Sequence, residues 1–403
     1  MARLRVLVIS LTAPYPPVGG ARSKLYHTLT EVSRHHEVDL LLAPMENLPE
    51  KDAAALSGLA KTVKLAPFEP RLGLAARARA FAGPLPFVFA ALRRAPVREE
   101  IKKALAEKTY DLIHVEGCFL GMALLGLKTP PRLIGPHDAY WRNYQENLKI
   151  APWRKKITLA VDLAKLRWAE PRLYGCFDAV GVCTEVEARA VRSLAPGLHV
   201  GVVGNGALLD ESEKEPRLED FPSVVFSGSY DYPPNEEAAL RLLRELAPRL
   251  RRRWPELKLY IVGSSPTRRM EKAAAGHPAN IVTGRVASVR EWLTKGTVYL
   301  SPLSHGVGFK NKVPEAWAAG RPLVATPKTM EGIDFIPGTH ALVAESDDGL
   351  ARAAAWLLED GERRRKIALA GAERVREQYN WPRQAEGLLA LYDYVAARPM
   401  NRR

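Results

Sequence analysis

The loop that follows the predicted strand Val298–Ser301 is rich in glycine and lysine. It contains Gly306, Gly308, Lys310 and Lys312, and a predicted helix comes directly after it. Glycines let the backbone approach a ligand closely, lysines supply cationic donors, and a helix N-terminus favours an anion at the same place. This combination is typical of a site for the diphosphate of a nucleotide.

Glu315 lies one turn into that helix, where a carboxylate can accept hydrogen bonds from the two hydroxyls of a ribose. Phe309, between the second glycine and the first lysine, belongs to the same candidate site. The glycine-to-lysine spacing does not fit a Walker loop, and the glycines do not form the GxGxxG pattern of dinucleotide-binding proteins. The simpler alternative is a basic loop that only caps a helix.

Three further loops in this half of the chain follow predicted strands and could complete the site. Gly228-Ser229 follows the first strand, Gly284-Arg285-Val286 follows the third, and Glu331 places a carboxylate after the fifth. Each is an ordinary loop when it is taken alone. Because the carboxyl ends of parallel strands lie at one edge of a sheet, their convergence there favours a ligand site.

The first half of the chain offers two candidate motifs. Gly19-Gly20 opens a predicted helix, Ala21–Arg34, whose free N–H groups could bind an anion. His137-Asp138 ends a predicted strand and could orient a substrate hydroxyl or transfer a proton. A tight strand-to-helix turn and a solvent-facing turn are the structural alternatives.

The elements that must position these loops alternate regularly along the chain. Short β-branched runs are separated by helical stretches, which is typical of parallel sheets covered by helices. The predicted strands are Leu4–Ser10, Val38–Ala43, Val63–Pro67, Leu112–Glu116, Arg132–Pro136, Ala179–Cys183, Val200–Val203, Val224–Gly228, Leu257–Val262, Asn280–Thr283, Val298–Ser301, Leu323–Thr326 and Ala341–Ala344.

This alternation predicts an α/β protein with two doubly wound, Rossmann-like domains that face a central cleft. The first domain is expected over 1–206 and the second over 207–382, and the acidic segment Asp210–Pro222 is the predicted linker. The part from Asp348 to Ala397 should form two or three helices.

Composition narrows the classes of function. The 403 residues carry a net charge of +14 and are 47% hydrophobic, which excludes a largely disordered chain. No long apolar window predicts a transmembrane helix, and the N-terminus is typical of a strand rather than of a signal peptide. Cys118, Cys176 and Cys183 are too few and too scattered for a disulfide scaffold or a zinc site, which fits a reducing cytoplasm.

With these motifs, the sequence resembles the family 4 glycosyltransferases, which have the GT-B fold, over nearly its whole length. The most specific part runs from Gly308 through Lys310, Lys312 and Glu315 to Thr326 and is followed by Glu331-Gly332. The sequence is similar to sugar transferases of exopolysaccharide clusters. The resemblance also rests on residues 14–20, His137-Asp138, Asn205-Gly206, Gly228-Ser229, Pro234-Asn235 and Gly284-Arg285-Val286.

The resemblance implies a retaining transfer of a sugar from a nucleotide-diphosphate sugar to a hydroxyl acceptor, in polysaccharide or glycolipid synthesis. The C-terminal domain would bind this donor. The N-terminal domain would bind the acceptor, which could be a sugar, a lipid-linked sugar or a small molecule. The final helix, about 383–403, would cross back onto the N-terminal domain.

The resemblance also implies roles for single residues. Gly20, beside Gly19, would offer its N–H to the diphosphate, and His137 would contact the donor sugar. Lys310 and Lys312 would neutralise the phosphates, and Glu315 would hold the ribose. His137, Lys310 and Glu315 are therefore the predicted catalytic residues.

The resemblance places Arg285 and Val286 beside the base. Other positions of this chain depart from the family pattern. Many members have a Glu where this chain has Val307, which leaves the donor sugar open. Many also carry an Arg and a Lys where this chain has Ser229 and Pro234. Lys310 consequently becomes the main predicted cation for the diphosphate.

No Asp-x-Asp pair occurs at a strand end, so we expect neither a metal nor another cofactor, and the nucleotide sugar is a substrate. Fixed N–H groups and lysines would stabilise the charge that develops on the leaving diphosphate. No carboxylate nucleophile can be identified, so we expect a front-face mechanism assisted by the leaving phosphate.

Basic residues alternate with apolar ones, Phe89 among them, in two segments, 71–103 and 153–168. Such a mixture suits the headgroup zone of an anionic membrane, where lipid-linked acceptors lie. The alternative is a solvated basic face over an ordinary core. No motif provides a basic helix or an aromatic platform for nucleic acid, so nucleic acid is not a predicted partner. We expect a cytoplasmic protein, peripheral on the inner face of the membrane.

Two other classes of function stay open on the sequence alone. Another GT-B enzyme, such as a sugar-nucleotide epimerase or a phosphorylase, would use similar donor loops. A non-catalytic protein that binds the membrane surface would fit the loss of a carboxylate at Val307.

Overall fold

The computed structural model of the chain describes residues 3–44, 49–67, 83–86, 89, 96–209 and 221–398. The chain divides into two compact units. The first consists of Met1–Asn205 together with Trp381–Arg403, and the second is Gly206–Asn380. Most of the predicted linker, 210–220, lies outside the described residues.

The first unit is built on a seven-stranded parallel sheet with the order β3-β2-β1-β4-β5-β6-β7. The order changes direction between β1 and β4, and ligands of such sheets bind beyond the carboxyl ends of the strands at this switch point. The strands are β1 Arg5–Ser10, β2 Glu37–Leu42, β3 Thr62–Leu65, β4 Leu112–Glu116, β5 Arg132–His137, β6 Ala179–Val182 and β7 Val200–Val202.

Helices cover this sheet, and its inner strands are largely buried. Val6 to Ile9 of β1, for example, are at most 2% exposed, because both faces of a doubly wound sheet are covered. Among the described connections, Leu56–Gly58 and Cys118–Leu124 are 3₁₀ turns. The helices are α1 Gly20–His35, α2 Glu50–Ala55, α3 Val97–Glu107, α4 Tyr140–Ile150, α5 Trp153–Tyr174 and α6 Glu185–Leu194.

The second unit is a six-stranded parallel sheet with the order β10-β9-β8-β11-β12-β13. Its switch point lies between β8 and β11. The strands are β8 Ser223–Ser227, β9 Lys258–Val262, β10 Asn280–Val282, β11 Val298–Ser301, β12 Leu323–Ala325 and β13 Ala341–Val343. All thirteen predicted strands therefore occur in the structure, each within two residues of its predicted ends.

The helices of the second unit pack on a core that includes the fully buried Trp317. A π-helical turn, Leu242–Leu246, joins the first two of them into one continuous segment. The helices are α7 Pro233–Arg241, α8 Ala247–Arg251, α9 Arg268–Ala274, α10 Val289–Leu293, α11 Lys312–Ala318, α12 Pro327–Met330, α13 Asp347–Glu359 and α14 Gly361–Gln378.

The last helix, α15 (Trp381–Ala396), belongs to the first unit. It packs on α1 and on β4 to β7 and buries Leu388, Leu391 and Tyr392. The approach is close, since a Cβ on Gly201 of β7 would lie 2.8 Å from a methyl group of Leu391. In the described part of the chain, no helix is long and apolar enough to cross a membrane.

Candidate functional site

The loops that follow β8 and β11 lie at the switch point of the second sheet. β8 continues into Gly228-Ser229, and the neighbouring strand, β9, is followed directly by Gly263. A Cβ on Gly263 would collide with the carbonyl oxygen of Gly228, and a Cβ on Gly228 would lie 2.8 Å from the Asn235 side chain. Glycine at 263 therefore lets the two loops approach each other, and glycine at 228 leaves room for the Asn235 side chain.

Lys312, the first residue of α11, is tied into this loop cluster. Its Nζ donates to Oδ1 of Asn235 at 2.6 Å and lies 4.2 Å from the centre of the Phe226 ring. Asn235 in turn donates to the carbonyl oxygen of Ser229 at 2.9 Å. Burial lowers the pKa of Lys312 to about 7, although Glu315 opposes the shift. A diphosphate at this place would favour the charged form of the lysine.

Lys310 is 7% exposed, and its Nζ donates to the carbonyl oxygen of Gly308 at 2.6 Å. Gly306 and Gly308 have φ values of 111° and 76°, a region that side chains other than glycine rarely adopt. The two glycines thus fold the loop back on itself and hold the lysine within it. Val307, between them, is an apolar side chain that is 8% exposed.

The other predicted site residues of this unit lie at the same edge of the sheet, and they differ in burial and in their contacts. Glu315 is exposed on α11 and interacts electrostatically with Lys312. Ser229 donates its hydroxyl to Asp231, and Glu331 pairs with Lys328 at 2.8 Å. Arg285 is exposed, Val286 is half-buried against the core, and both follow the edge strand β10. Phe309 is half-buried, with its ring 5.9 Å from that of Tyr379.

In the first unit, Gly19 and Gly20 lie at the start of α1, after β1. Gly19 has a φ of 89° and precedes Gly20, the first residue of the 16-residue helix. The N-terminus of α1 therefore points its N–H groups towards the carboxyl edge of the sheet. The role of Gly20 towards a diphosphate stays a prediction.

His137 ends β5 and has a φ of 67°, which is strained for a residue with a side chain. Its Nε2 lies 3.4 Å from Oε1 of Glu116, and its Nδ1 lies 3.5 Å from Nζ of Lys24. Burial lowers the pKa of His137 to about 4, although Glu116 opposes the shift. The imidazole is consequently neutral at neutral pH.

Glu116 ends β4 and is 6% exposed. Its Oε2 lies 2.9 Å from Nε2 of His114, and its Oε1 lies 3.9 Å from Nζ of Lys24. Burial opposes ionisation, but the charges and hydrogen bonds of its partners outweigh it and lower the pKa of Glu116 to about 2. Glu116 and Lys24 are thus a buried ion pair at the switch point of the first sheet.

The N-terminus of α4, directly after His137-Asp138, is already occupied by protein carboxylates. Glu187 accepts a hydrogen bond from the N–H of Ala139 at 2.9 Å, and Glu170 accepts those of Tyr140 and Trp141. An anionic ligand would be repelled there. In the first unit, α1 is therefore the better place for a phosphate.

Lys24, His114 and Glu116 were not found by sequence reasoning. Glu116 ends a predicted strand, and the rule that identified His137 could have identified it as well. Lys24 lies inside a helix and belongs to no motif. In the described residues, no group of three or more His, Cys, Asp or Glu side chains could hold a metal ion.

Two family models match the chain. The model for glycosyl transferases group 1 matches residues 221–360, and the model for the glycosyl transferase 4-like domain matches residues 19–206. Together they cover both units. The chain belongs to the family 4 glycosyltransferases. The two matches place this glycosyltransferase's candidate residues Lys310, Glu315 and His137 within family domains.

Curated relatives of the glycosyltransferase come from several bacteria. A phosphatidyl-myo-inositol mannosyltransferase of Mycobacterium leprae is 27% identical over 60% of the chain and 65% of its own length. The same enzyme of Propionibacterium freudenreichii is 24% identical over 61% of the chain and 66% of its own length. The chain thus spans just under two thirds of these two relatives. An uncharacterized 44.6 kDa protein in the cps region of Klebsiella pneumoniae is 22% identical over 85% of the chain and 88% of its own length.

Solved structures confirm the GT-B fold. Sucrose-phosphate synthase from Thermosynechococcus elongatus has a TM-score of 0.71 at 18% identity and covers 97% of the chain and 98% of its own. HepE of Anabaena, in complex with UDP and glucose, has a TM-score of 0.67 at 14% identity and covers 97% of the chain and 100% of its own. WaaG, a glycosyltransferase involved in lipopolysaccharide biosynthesis, has a TM-score of 0.64 at 14% identity, with 97% and 100% covered.

Proposed function

We propose that this glycosyltransferase moves a sugar, with retention, from a nucleotide-diphosphate sugar to a hydroxyl acceptor in polysaccharide or glycolipid synthesis. The observation that carries the proposal is the loop cluster at the switch point of the second sheet. It combines touching glycine backbones with Lys310, Lys312 and the exposed carboxylate of Glu315. That HepE was solved with UDP and glucose supports a nucleotide-sugar donor.

In this proposal the lysines meet the charge that appears on the leaving diphosphate. Lys310 and Lys312 are held by oxygen atoms of the protein at 2.6 Å, and phosphate oxygens would take over those donors. Donors fixed before the reaction stabilise developing charge without reorganisation. Since no carboxylate nucleophile is identified, attack is directed from the same face and is assisted by the leaving phosphate.

The first unit would bind the acceptor. We infer that Gly20 offers its N–H to the diphosphate, because α1 begins there, and that His137 contacts the sugar. The name of the M. leprae relative includes a phosphatidyl lipid, which supports a lipid-linked acceptor for this chain as well. The K. pneumoniae relative in a cps region supports a glycan pathway.

Helix α5 carries an apolar stripe that fits contact with an anionic membrane. Trp153, Ile157 and Trp168 are 73%, 68% and 46% exposed, and exposed alanines at 160 and 164 lie between them at helical spacing. Arg154 lies over the Trp153 ring at 5.4 Å, and Arg172 lies over Trp168 at 4.2 Å. Aromatic rings next to cations suit the headgroup zone of anionic lipid.

The segment 71–103 supports this surface less than the sequence indicated. Most of it, including 71–82, lies outside the described residues. Phe89, expected to face the membrane, is instead fully buried and packs against Phe119. Arg98 donates to carbonyl oxygens of the fold, and Lys102 forms an ion pair with Glu99 within α3. The membrane proposal therefore rests on α5.

A thermal-shift panel of UDP-, GDP-, ADP- and dTDP-sugars tests the donor. One class of nucleotide should raise the melting temperature, because a ligand at about 100 times its Kd stabilises the folded state by about 2.7 kcal/mol. The donor found this way is then assayed for sugar transfer, with the anomeric configuration of the product read by NMR. No shift with any nucleotide would contradict a donor site, and an inverted product would contradict retention.

We also propose that transfer needs no metal ion, since lysines and N–H groups stand where a metal would otherwise neutralise the diphosphate. Turnover with the identified donor should stay within about twofold after treatment with EDTA. The measurement compares the initial rate of untreated enzyme with that of enzyme treated with EDTA and then freed of EDTA by gel filtration. Loss of turnover that Mg²⁺ or Mn²⁺ restores would contradict metal independence.

A further inference from the structure

The carboxyl ends of β4 and β5 hold a buried polar cluster whose function the proposed transfer leaves open. Glu116 is 6% exposed, Lys24 is 3% and His114 is 3%. Buried ionised groups are tolerated only when hydrogen bonds and opposite charges satisfy them. The partners of each atom in the cluster therefore constrain where its protons lie.

The two ring nitrogens of His137 have partners of opposite kind. Nε2 lies 3.4 Å from Oε1 of Glu116, and an ionised carboxylate can only accept, so this contact favours a proton on Nε2. Nδ1 faces Nζ of Lys24 at 3.5 Å, and an ammonium group can only donate, so Nδ1 must offer its lone pair. One tautomer of the neutral ring satisfies both contacts.

His114 connects Glu116 to the C-terminal helix. Its Nε2 lies 2.9 Å from Oε2 of Glu116 and must donate to that oxygen. Its Nδ1 then accepts from the hydroxyl of Tyr392 on α15, which is 2.9 Å away. Each oxygen of Glu116 thus has an imidazole nitrogen nearby, that of His114 at 2.9 Å and that of His137 at 3.4 Å.

Backbone packing leaves the Glu116 carboxylate little freedom to move. A Cβ on Gly135 of β5 would collide with Oε2 of Glu116 and would lie 3.2 Å from Nε2 of His114. His137 has a left-handed φ of 67°, and its side chain lies beside the same carboxylate. A strained backbone of this kind persists when its surroundings over-determine it, and it is common where a side chain must be aimed.

We propose that Glu116 is a positioning residue that holds His137 in a single tautomer, with the proton on Nε2 and the lone pair of Nδ1 directed at Lys24. This inference rests on the proposed function, in which His137 contacts the sugar. Nε2 already carries its proton and Lys24 already uses Nδ1, so the ring serves as an oriented contact and does not take a proton from the acceptor. The side chain of His137 is 26% exposed, which leaves part of the ring open to such a contact.

Nitrogen-15 NMR of the full chain, labelled at histidine, tests the tautomer without any substrate. The signals of His137 and His114 are assigned from His137→Gln and His114→Gln. The wild-type protein at pH 7 should show a protonated Nε2 and a bare Nδ1 at His137, with an Nε2–H proton protected from exchange by the buried carboxylate. A proton on Nδ1, or equal amounts of the two tautomers, would overturn the proposal.

Glu116→Gln tests the positioning itself, because it keeps the shape but removes the charge and one acceptor oxygen. We expect the Nε2–H signal of His137 to move upfield or to vanish by exchange, and kcat to fall tenfold or more while the donor KM stays within about threefold. Glu107→Gln, an exposed change in the same unit, is the matched control and should leave the His137 signal in place. An unchanged His137 signal in Glu116→Gln would refute the role of Glu116.

Gly135→Ala is a second route if Glu116→Gln does not fold, since it displaces the carboxylate and retains its charge. It should perturb His137 in the same way, and an unperturbed signal would again refute the role. The outcome is separable from the proposed function. If the wild-type chain transfers no sugar, the proposed function fails, while the NMR spectra still decide whether Glu116 fixes the tautomer of His137.

Discussion

Lys310 is the side chain on which the proposed donor site depends most. The family pattern has cations at positions where this chain has Ser229 and Pro234. The hydroxyl of Ser229 donates a hydrogen bond to Asp231 instead. Lys310 is buried within the glycine loop, with its ammonium on a backbone carbonyl. A phosphate oxygen can replace that carbonyl at little cost, because the lysine is already desolvated and held in place.

Lys310→Ala should therefore weaken the binding of the matching nucleoside diphosphate by about 1–3 kcal/mol, the usual effect of a lost charge-assisted hydrogen bond. Isothermal titration calorimetry at fixed salt measures it. Lys295→Ala is the matched control, because Lys295 is exposed on the Trp292 ring, before β11, at the opposite end of the sheet. Equal affinity in wild type and Lys310→Ala would exclude this role for Lys310.

At the scale of elements, the strands could be predicted from sequence and the buried cluster could not. β1 and β11 consist mostly of buried apolar residues because helices cover both faces of each sheet, and this pattern is local in the sequence. The partners Lys24 and His137 are 113 positions apart, and no local signal links a lysine within a helix to a strand end. The burial of Phe89 could not be predicted either, because the sequence around a phenylalanine does not show whether it lies in the core or on the surface.

Membrane binding can be tested on helix α5, because its apolar stripe faces outward. A triple variant has serine in place of Trp153, Ile157 and Trp168. It should bind vesicles of phosphatidylcholine and phosphatidylglycerol at least tenfold more weakly, since each large apolar side chain transferred from water contributes about 1.5–3 kcal/mol. Binding should also fall with added salt. Co-sedimentation at low and high salt measures both effects.

The control for this experiment is Trp356→Ser. Trp356 lies in the second unit, is 48% exposed and carries Arg363 over its ring at 3.5 Å, so it reproduces the chemistry of α5 elsewhere. It should leave vesicle binding unchanged. If the triple variant binds as well as wild type, or if the wild-type chain does not sediment with anionic vesicles, α5 is not a membrane surface.

At the scale of the whole molecule, the two units differ in how the chain builds them. The second unit is one continuous stretch, Gly206–Asn380, whereas the first needs α15 from the far end of the chain. This helix contributes Leu388, Leu391, Tyr392 and Val395 to the core of the first unit, all at most 3% exposed. Their burial is worth roughly 6–12 kcal/mol, comparable to the total stability of an ordinary domain.

A chain that ends at Asn380 should therefore lose the fold of the first unit and keep that of the second. Limited proteolysis should degrade the first unit, while a stable fragment near 221–380 survives and still binds the nucleoside diphosphate. A chain that ends at Ala397 is the control, because it keeps α15 and should resist the protease as wild type does. Protease resistance of the first unit without α15 would mean that the helix only rests on a fold that is complete without it.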